Sequence, residues 1–266
     1  MFREGFCYRF SRAIVRQPGR SAAAGLRAVD RGSPDFGRFR AEHEGYVHAL
    51  ERAGLSVVSL GAREEFPDSV FIEDDALCLP EGVLLLKPGA PSRSGEATAL
   101  GRDLADMGID VLPCDCSGSI DGGDVLVTDS VVLVGLSSRT DRAGFEWLKS
   151  VLGGWGYAVS AVQTPDAVLH FKSDCCVLDG HTVLATRRLS EAACFAKFRV
   201  LPVPDGEEAA ANCVRVNDTV LVPAGFPRTA DLLAREGYAV LPVPVSQANL
   251  LDGGLSCMSL RWAKPA

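Results

Sequence analysis

The sequence predicts an α/β propeller or array built from one repeated unit. A strand pair, a helix and a further strand recur along the chain, and such units cannot each cover a sheet face alone, so they must share a centre. Asp74, Asp124, His170, Asn212 and Gly254 are comparable polar positions opening successive units, 50, 46, 42 and 42 residues apart. No linker, charge block or low-complexity segment interrupts the chain, so residues 1–266 read as one domain. On pattern alone, the competing reading is a generic α/β chain with alternating elements.

Taken in order, Arg12–Arg16 is short, β-branched and followed by Pro18-Gly19, which makes it a strand. Residues 21–27 are small and helix-tolerant, and 29–34 form a polar loop rich in breakers. Over 35–53, Phe36, Tyr46, Val47 and Leu50 lie among charges, an amphipathic helix closed by Gly54. Ser56–Leu60 is the next strand. Val70-Phe71-Ile72 and residues 83–86 read as strands, with a helix over 96–107 and a strand over 110–112. Val125–Val127 and residues 131–134 form a hairpin, followed by a helix near 142–152 and a strand over 157–159. The next strand pairs are 175–178 with 183–185, and Val214–Val216 with 220–222. A helix over 229–236 and a strand over 238–240 lead to the turn Asp252-Gly253-Gly254, which delivers Cys257 at the head of a short apolar segment.

Composition narrows the partners. With 47% hydrophobic and 23% charged residues the chain can bury a full core. A net charge of −7 argues against a nucleic-acid footprint or a polybasic membrane surface. No apolar run reaches the roughly 18 residues of a membrane span, and Met1-Phe2-Arg3-Glu4-Gly5-Phe6 lacks the apolar stretch of a signal peptide. Nine cysteines, an odd number, read as free thiols in a reducing cytoplasm. Cys114-Asp115-Cys116 and Cys175-Cys176 lack both zinc-type CxxC spacing and paired histidines. No metal or other cofactor is expected; the partner is a small molecule, and a homodimer stays open.

Four stretches place polar residues at strand mouths, where a radial repeat brings them together. Residues 67–75 carry Asp68, Glu73, Asp74 and Asp75; clustered carboxylates facing a cavity repel one another and call for a cation. With metal disfavoured, that cation is organic. Asp121-Gly122-Gly123-Asp124 offers a backbone that a ligand can approach closely. Of the four histidines, His170 is the best placed base, since His43 and His48 lie on the amphipathic helix and His181 in a turn. Cys257 supplies a thiol. Arg93 and Arg139 each follow a strand and a loop, and their planar forks suit a carboxylate. Against each stands a plain alternative: a solvated turn, a core histidine, a packed thiol, a surface arginine. Together they describe a pocket for a zwitterion with a cationic far end, an amino acid such as arginine. A guanidinium carbon is deactivated by resonance and needs a thiolate nucleophile with a placed acid/base.

These stretches together resemble the dimethylarginine dimethylaminohydrolase family, within the guanidine-modifying superfamily. The resemblance runs nearly the whole chain. It is carried by residues 11–16, Pro67-Asp68-Ser69-Val70-Phe71-Ile72-Glu73-Asp74, residues 87–93, Ile120-Asp121-Gly122-Gly123-Asp124-Val125-Leu126, Val134-Gly135-Leu136-Ser137 before Arg139, Leu169-His170-Phe171-Lys172-Ser173, Ala211-Asn212-Cys213, and Asp252-Gly253 before Cys257.

The resemblance implies a five-bladed α/β propeller and the hydrolysis of Nω-methylated arginine to citrulline and an amine. It implies Cys257 as nucleophile, His170 as acid and then base, and Asp121 as the group that orients His170. Asp68 and Glu73 are expected to receive the guanidinium. Asp74 is expected to organise the amino-acid end with main-chain groups near Leu26, Leu251 and Asp252, and Arg93 and Arg139 to clamp the carboxylate. Asp121 stands where some relatives carry Glu, and residues 28–35 fall where the family has a lid. Arginine deiminases carry an inserted helical domain for which 266 residues leave no room. Agmatine has no carboxylate for two arginines to hold. An amidinotransferase and a non-catalytic binding propeller complete the alternatives.

Overall fold

The computed structural model describes residues 5–263; residues 1–4, part of the stretch read as lacking a signal peptide, lie outside them. Five three-stranded sheets are arranged as blades. The first joins the two ends of the chain: β1 (Arg12–Arg16) pairs antiparallel with β15 (Ser259–Trp262) and parallel with β2 (Ser56–Leu60). The others follow in sequence: β3 (Ala76–Leu79), β4 (Gly82–Leu85) and β5 (Val111–Leu112); β6 (Val125–Val127), β7 (Val132–Leu136) and β8 (Val159–Gln163); β9 (Cys175–Val177), β10 (Thr182–Ala185) and β11 (Arg199–Pro202); β12 (Val214–Val216), β13 (Thr219–Pro223) and β14 (Ala239–Val243). In each of these the first strand is antiparallel to the second and the third is parallel to it.

A parallel pair needs a crossover, and a helix usually supplies it. Here α1 (Phe36–Arg52), α2 (Glu96–Asp106), α3 (Arg142–Gly154) and α4 (Pro227–Arg235) do so in four blades. Asp35 caps α1 by accepting from the Arg38 N–H at 2.7 Å, and Asp141 caps α3 through the Gly144 N–H at 2.9 Å. The fourth blade crosses without an α-helix. A 3-10 turn, Ala193–Phe195, fills the place, and Phe195 is buried against Phe171 with ring centroids 5.9 Å apart.

The strand expected at Val70-Phe71-Ile72 is a correction. Those residues run through a turn into a 3-10 helix, Ile72–Asp75, and the strand begins at Ala76. Val70, Phe71 and Ile72 are buried as anchors between blades, which satisfies their apolar character without extended pairing. The strand expected over 157–159 begins at Val159. Neither β11 nor the short helix α5 (Ser246–Asn249) was signalled by periodicity.

What positions the site is a 3-10 turn ahead of each blade's first strand: Ile72–Asp75, Gly122–Asp124, Phe171–Ser173, Glu208–Ala211 and Ser256–Met258. The turn at Ile72–Asp75 touches those at Gly122–Asp124 and Ser256–Met258, and the turn at Phe171–Ser173 touches those at Gly122–Asp124 and Glu208–Ala211, so they ring the axis. Third strands such as β2 and β8 are mostly exposed. Between blades lie separate apolar clusters; one joins Ile14, Ile72, Leu85, Leu100, Leu104 and Leu260 across the seam where the ring closes.

Candidate active site

The ring of turns brings His170, Asp121, Asp74 and Cys257 together although they come from four blades. His170 Nε2 is 2.9 Å from Asp121 Oδ2 and 4.0 Å from Asp74 Oδ1. Asp121 is fully buried, and its other oxygen accepts the Gly89 N–H at 2.7 Å. Its shorter side chain therefore reaches the imidazole directly. A Cβ on Gly123 would stand 2.7 Å from His170 Nδ1 and 2.8 Å from Asp74 Oδ1, so glycine is what lets the two strands of chemistry meet. Close approach, not positive φ, is the role of this glycine.

Burial by itself would strip the proton from His170. Asp74, the Asp121 hydrogen bond and Asp124 outweigh it and raise the imidazole from 6.5 to about 9, so it is an imidazolium at neutral pH. Asp74 shows the other side of the same attraction: burial raises it, but His170 and Arg93 pull it down to about 2. Asp74, Asp121 and His170 offer donor atoms within 4.8 Å of one another. Those atoms are engaged with each other, and Asp74 Oδ1 also accepts the Gly123 N–H at 2.9 Å.

Cys257 sits in the 3-10 turn Ser256–Met258 and is buried. Gly254 N–H points at its sulfur at 3.4 Å, with Asn212 Nδ2 at 3.8 Å. Burial first, then Glu73 and Asp74, push the thiol up to about 11. At rest the sulfur is a neutral thiol in a negative surround. The residue in the left-handed region here is Asp252, at φ 56°, rather than either of the glycines expected to form the bend.

The carboxylates divide into two ends. Glu73 Oε1 accepts from Lys172 Nζ at 2.7 Å and Arg261 Nη2 at 2.9 Å, while its buried Oε2 has no partner. Glu73 and Asp74 both act on Cys257. Asp68 lies elsewhere: its Oδ1 accepts the Leu26 N–H at 2.9 Å, and both Arg93 and Arg139 act on its charge. Asp74 thus lies by His170, and Asp68 by the Leu26 main chain.

The two arginines also differ. Arg93 is buried, donating from Nε to Glu96 at 2.8 Å, from Nη1 to Asp74 and from Nη2 to the Phe71 carbonyl at 3.1 Å. Little of its donor fork remains for a ligand. Arg139 is half-buried, and no ion pair holds its guanidinium among the described residues. Arg93 is thus tied into the protein, while Arg139 is not held in this way. Asp252 works as a latch: its Oδ2 accepts the Ala28 N–H at 2.5 Å and its Oδ1 pairs with Arg31 Nη2 at 2.8 Å. Gln247 of α5 adds a bond from the Asp35 N–H at 2.8 Å, so the 28–35 loop lies fastened to the 246–252 segment. Leu251 is buried in the same apolar cluster as Cys257.

Lys172, Arg261 and Glu96 went unassigned by sequence reasoning. Lys172 belongs to the same short stretch as His170, and Arg261 reads as an ordinary strand residue until Glu73 is placed beside it.

Comparison with known proteins identifies the family. Residues 37–179 match the family described as N,N dimethylarginine dimethylhydrolase, eukaryotic. The N(G),N(G)-dimethylarginine dimethylaminohydrolase of Pseudomonas aeruginosa is 34% identical over 254 residues, covering 95% of this chain and all of that protein. The chain belongs to the dimethylarginine dimethylaminohydrolase family. A second member, from Streptomyces coelicolor, is 34% identical over 94% of this chain and 96% of its own length. Within the family, a cysteine-to-serine mutant of the P. aeruginosa protein complexed with citrulline superposes with a TM-score of 0.91 at 34% identity, covering 96% of this chain and 100% of that one. The N-terminal domain of ArgZ, a cyanobacterial arginine dihydrolase, shares the fold at a TM-score of 0.82 and 19% identity, over 96% of this chain and 98% of that one.

Proposed function

We propose that this chain hydrolyses Nω-methylated arginine, asymmetric dimethylarginine and monomethylarginine, to citrulline and dimethylamine or methylamine. The observation that carries the reading is that a buried neutral thiol, Cys257, and a buried imidazolium, His170, both lie within the influence of the Asp74 carboxylate, with Glu73 also acting on the thiol. That site is completed by a cation. A docked guanidinium offsets the carboxylates that hold the proton on Cys257, so the thiol releases that proton to solvent and the thiolate forms where it is needed. The sulfur attacks the guanidinium carbon, and His170 delivers its proton to the departing amine as the C–N bond breaks. A thiouronium is left on Cys257. The neutral His170, oriented by Asp121, then takes a proton from water as its oxygen adds to that carbon, and the C–S bond breaks to release citrulline.

At the other end, Asp68 and main-chain groups near Leu26 and Leu251 receive the α-amino group, and Arg139 the carboxylate. Citrulline in the P. aeruginosa relative supports this reading of the substrate class. It takes residues 1–266 as one catalytic unit and places the enzyme in the cytoplasm.

The test is a competition assay. Asymmetric dimethylarginine is expected to yield citrulline and dimethylamine, with the yield abolished in Cys257→Ser. Ammonia released from unmodified arginine at a higher kcat/KM would assign a deiminase instead.

A further inference from the structure

One cavity, of about 550 Å³, is lined by neither Cys257 nor His170. Its wall shares Glu73, Lys172 and Ser256 with the site's surroundings. Cys176 and Cys213 are both part of its wall.

Their sulfurs are 2.8 Å apart, closer than two sulfurs rest without bonding. Closing that gap to a covalent bond of about 2 Å needs a movement under about 1 Å. Cys176 is on β9 of the fourth blade and Cys213 directly precedes β12 of the fifth, and these strands touch. The neighbouring Cys175 also borders the cavity but is held apart from the pair. Cys175 alternates to the other face of β9, donates to the Phe171 carbonyl at 3.3 Å and packs in a different apolar cluster.

We infer that Cys176 and Cys213 are an oxidisable pair that a hydroperoxide, arriving through the cavity, converts to a disulfide between blades. Cys176 is the more exposed, at 7% against 1%, and meets the oxidant first. Its sulfur, losing its proton, attacks the peroxide; the O–O bond breaks, giving a sulfenic acid and water. The Cys213 sulfur then displaces the second water as the S–S bond forms. Two thiols give up two electrons and two protons, and hydrogen peroxide becomes two waters. The Cys213 thiol lies well above its ordinary range because Cys176 is beside it and because it is buried, so it waits protonated for its neighbour to react.

The pair also lies next to the reacting sulfur. Asn212, adjacent to Cys213, reaches Cys257 Sγ at 3.8 Å, accepts the Ser256 N–H at 2.9 Å and donates to the Lys172 carbonyl at 3.1 Å. A bond that draws Cys213 toward Cys176 moves this amide.

The experiment treats folded Cys257→Ser protein with hydrogen peroxide, blocks remaining thiols with iodoacetamide and identifies peptides without reduction. The expected result is a Cys176–Cys213 linked peptide that dithiothreitol reverses, with Tm raised by several degrees because the bond closes a loop of sequence separation 37. Cys176→Ala and Cys213→Ala should each abolish the link, and Cys175→Ala should leave it. If Cys213→Ala does not fold, Cys176→Ala at the cavity wall serves as the control. Recovery of both residues as alkylated thiols, a link that forms only in urea, or one that transfers to Cys175, would overturn the inference. In the enzyme with Cys257 intact, an effect that rests on the hydrolase reading, oxidation should lower kcat severalfold, reversibly, and not in Cys176→Ala. An equal loss in Cys176→Ala would place the oxidation on another thiol and overturn the coupling, whatever the linked-peptide result.

Discussion

At the scale of single residues the site stores its proton on the histidine and keeps the sulfur uncharged. His170 is raised by Asp74 and Asp121 against its burial, and Cys257 is raised by burial together with Glu73 and Asp74. A raised thiol pKa favours the protonated form, so the thiolate absorbance that distinguishes the wild type from Cys257→Ser should be absent at pH 8 and emerge only as pH rises through about 11. A guanidinium-bearing analogue should bring that transition down; an unchanged transition would show that the cation does not ionise the sulfur. The arginines separate by the same logic. Arg93→Ala strands Asp74 and Glu96 without their buried cation and should cost about 3–5 kcal/mol of stability, read by denaturant unfolding. Arg139→Ala should raise KM by about tenfold or more and leave the unfolding midpoint nearly unchanged. Equal loss of stability in both would contradict their assignment to frame and ligand. None of this partitioning was visible in Arg93 and Arg139 as letters, since each follows a strand and a loop.

At the scale of elements, residues 28–35 and α5 form one unit although more than two hundred positions separate them. Asp252 holds the loop by the Ala28 N–H and Arg31, and Gln247 holds Asp35. Asp252→Ala should release the loop, increasing amide exchange over residues 26–32 and raising KM several-fold while Cys257 stays intact; unchanged exchange would show that other contacts fasten the loop. The long helices and most strands were legible because their periodicity reflects one buried face. Val70-Phe71-Ile72 misled because apolar, β-branched residues satisfy a strand pattern and an inter-blade anchor equally well. The fourth blade hid β11 for a related reason: with no helix before it, no change of period marked its start.

For the whole molecule, stability depends on closing the ring. β15 pairs with β1, so the last described strand completes the sheet begun by the first. Leu260, 3% exposed, packs with Ile14 and Ile72 across this seam. Leu260→Ala should cost about 2–5 kcal/mol and lower Tm in one cooperative transition. An early partial transition, with the other four blades persisting, would show that blades melt independently. A closed repeat returns its final strand beside the first.

The sequence by itself determined the repeat, its α/β class, the acidic thiol-bearing composition and the short motifs around Asp68, Asp121, His170 and Cys257. These are local: a helical period, a breaker, or a motif is written in neighbouring residues. Only the tertiary structure decided that Asp74 rather than Asp68 stands by His170, that Arg93 is spent on Asp74 and Glu96, and that Glu73 is held by Lys172 and Arg261. Charge state follows distance and burial, and both are set where five turns from separate blades meet.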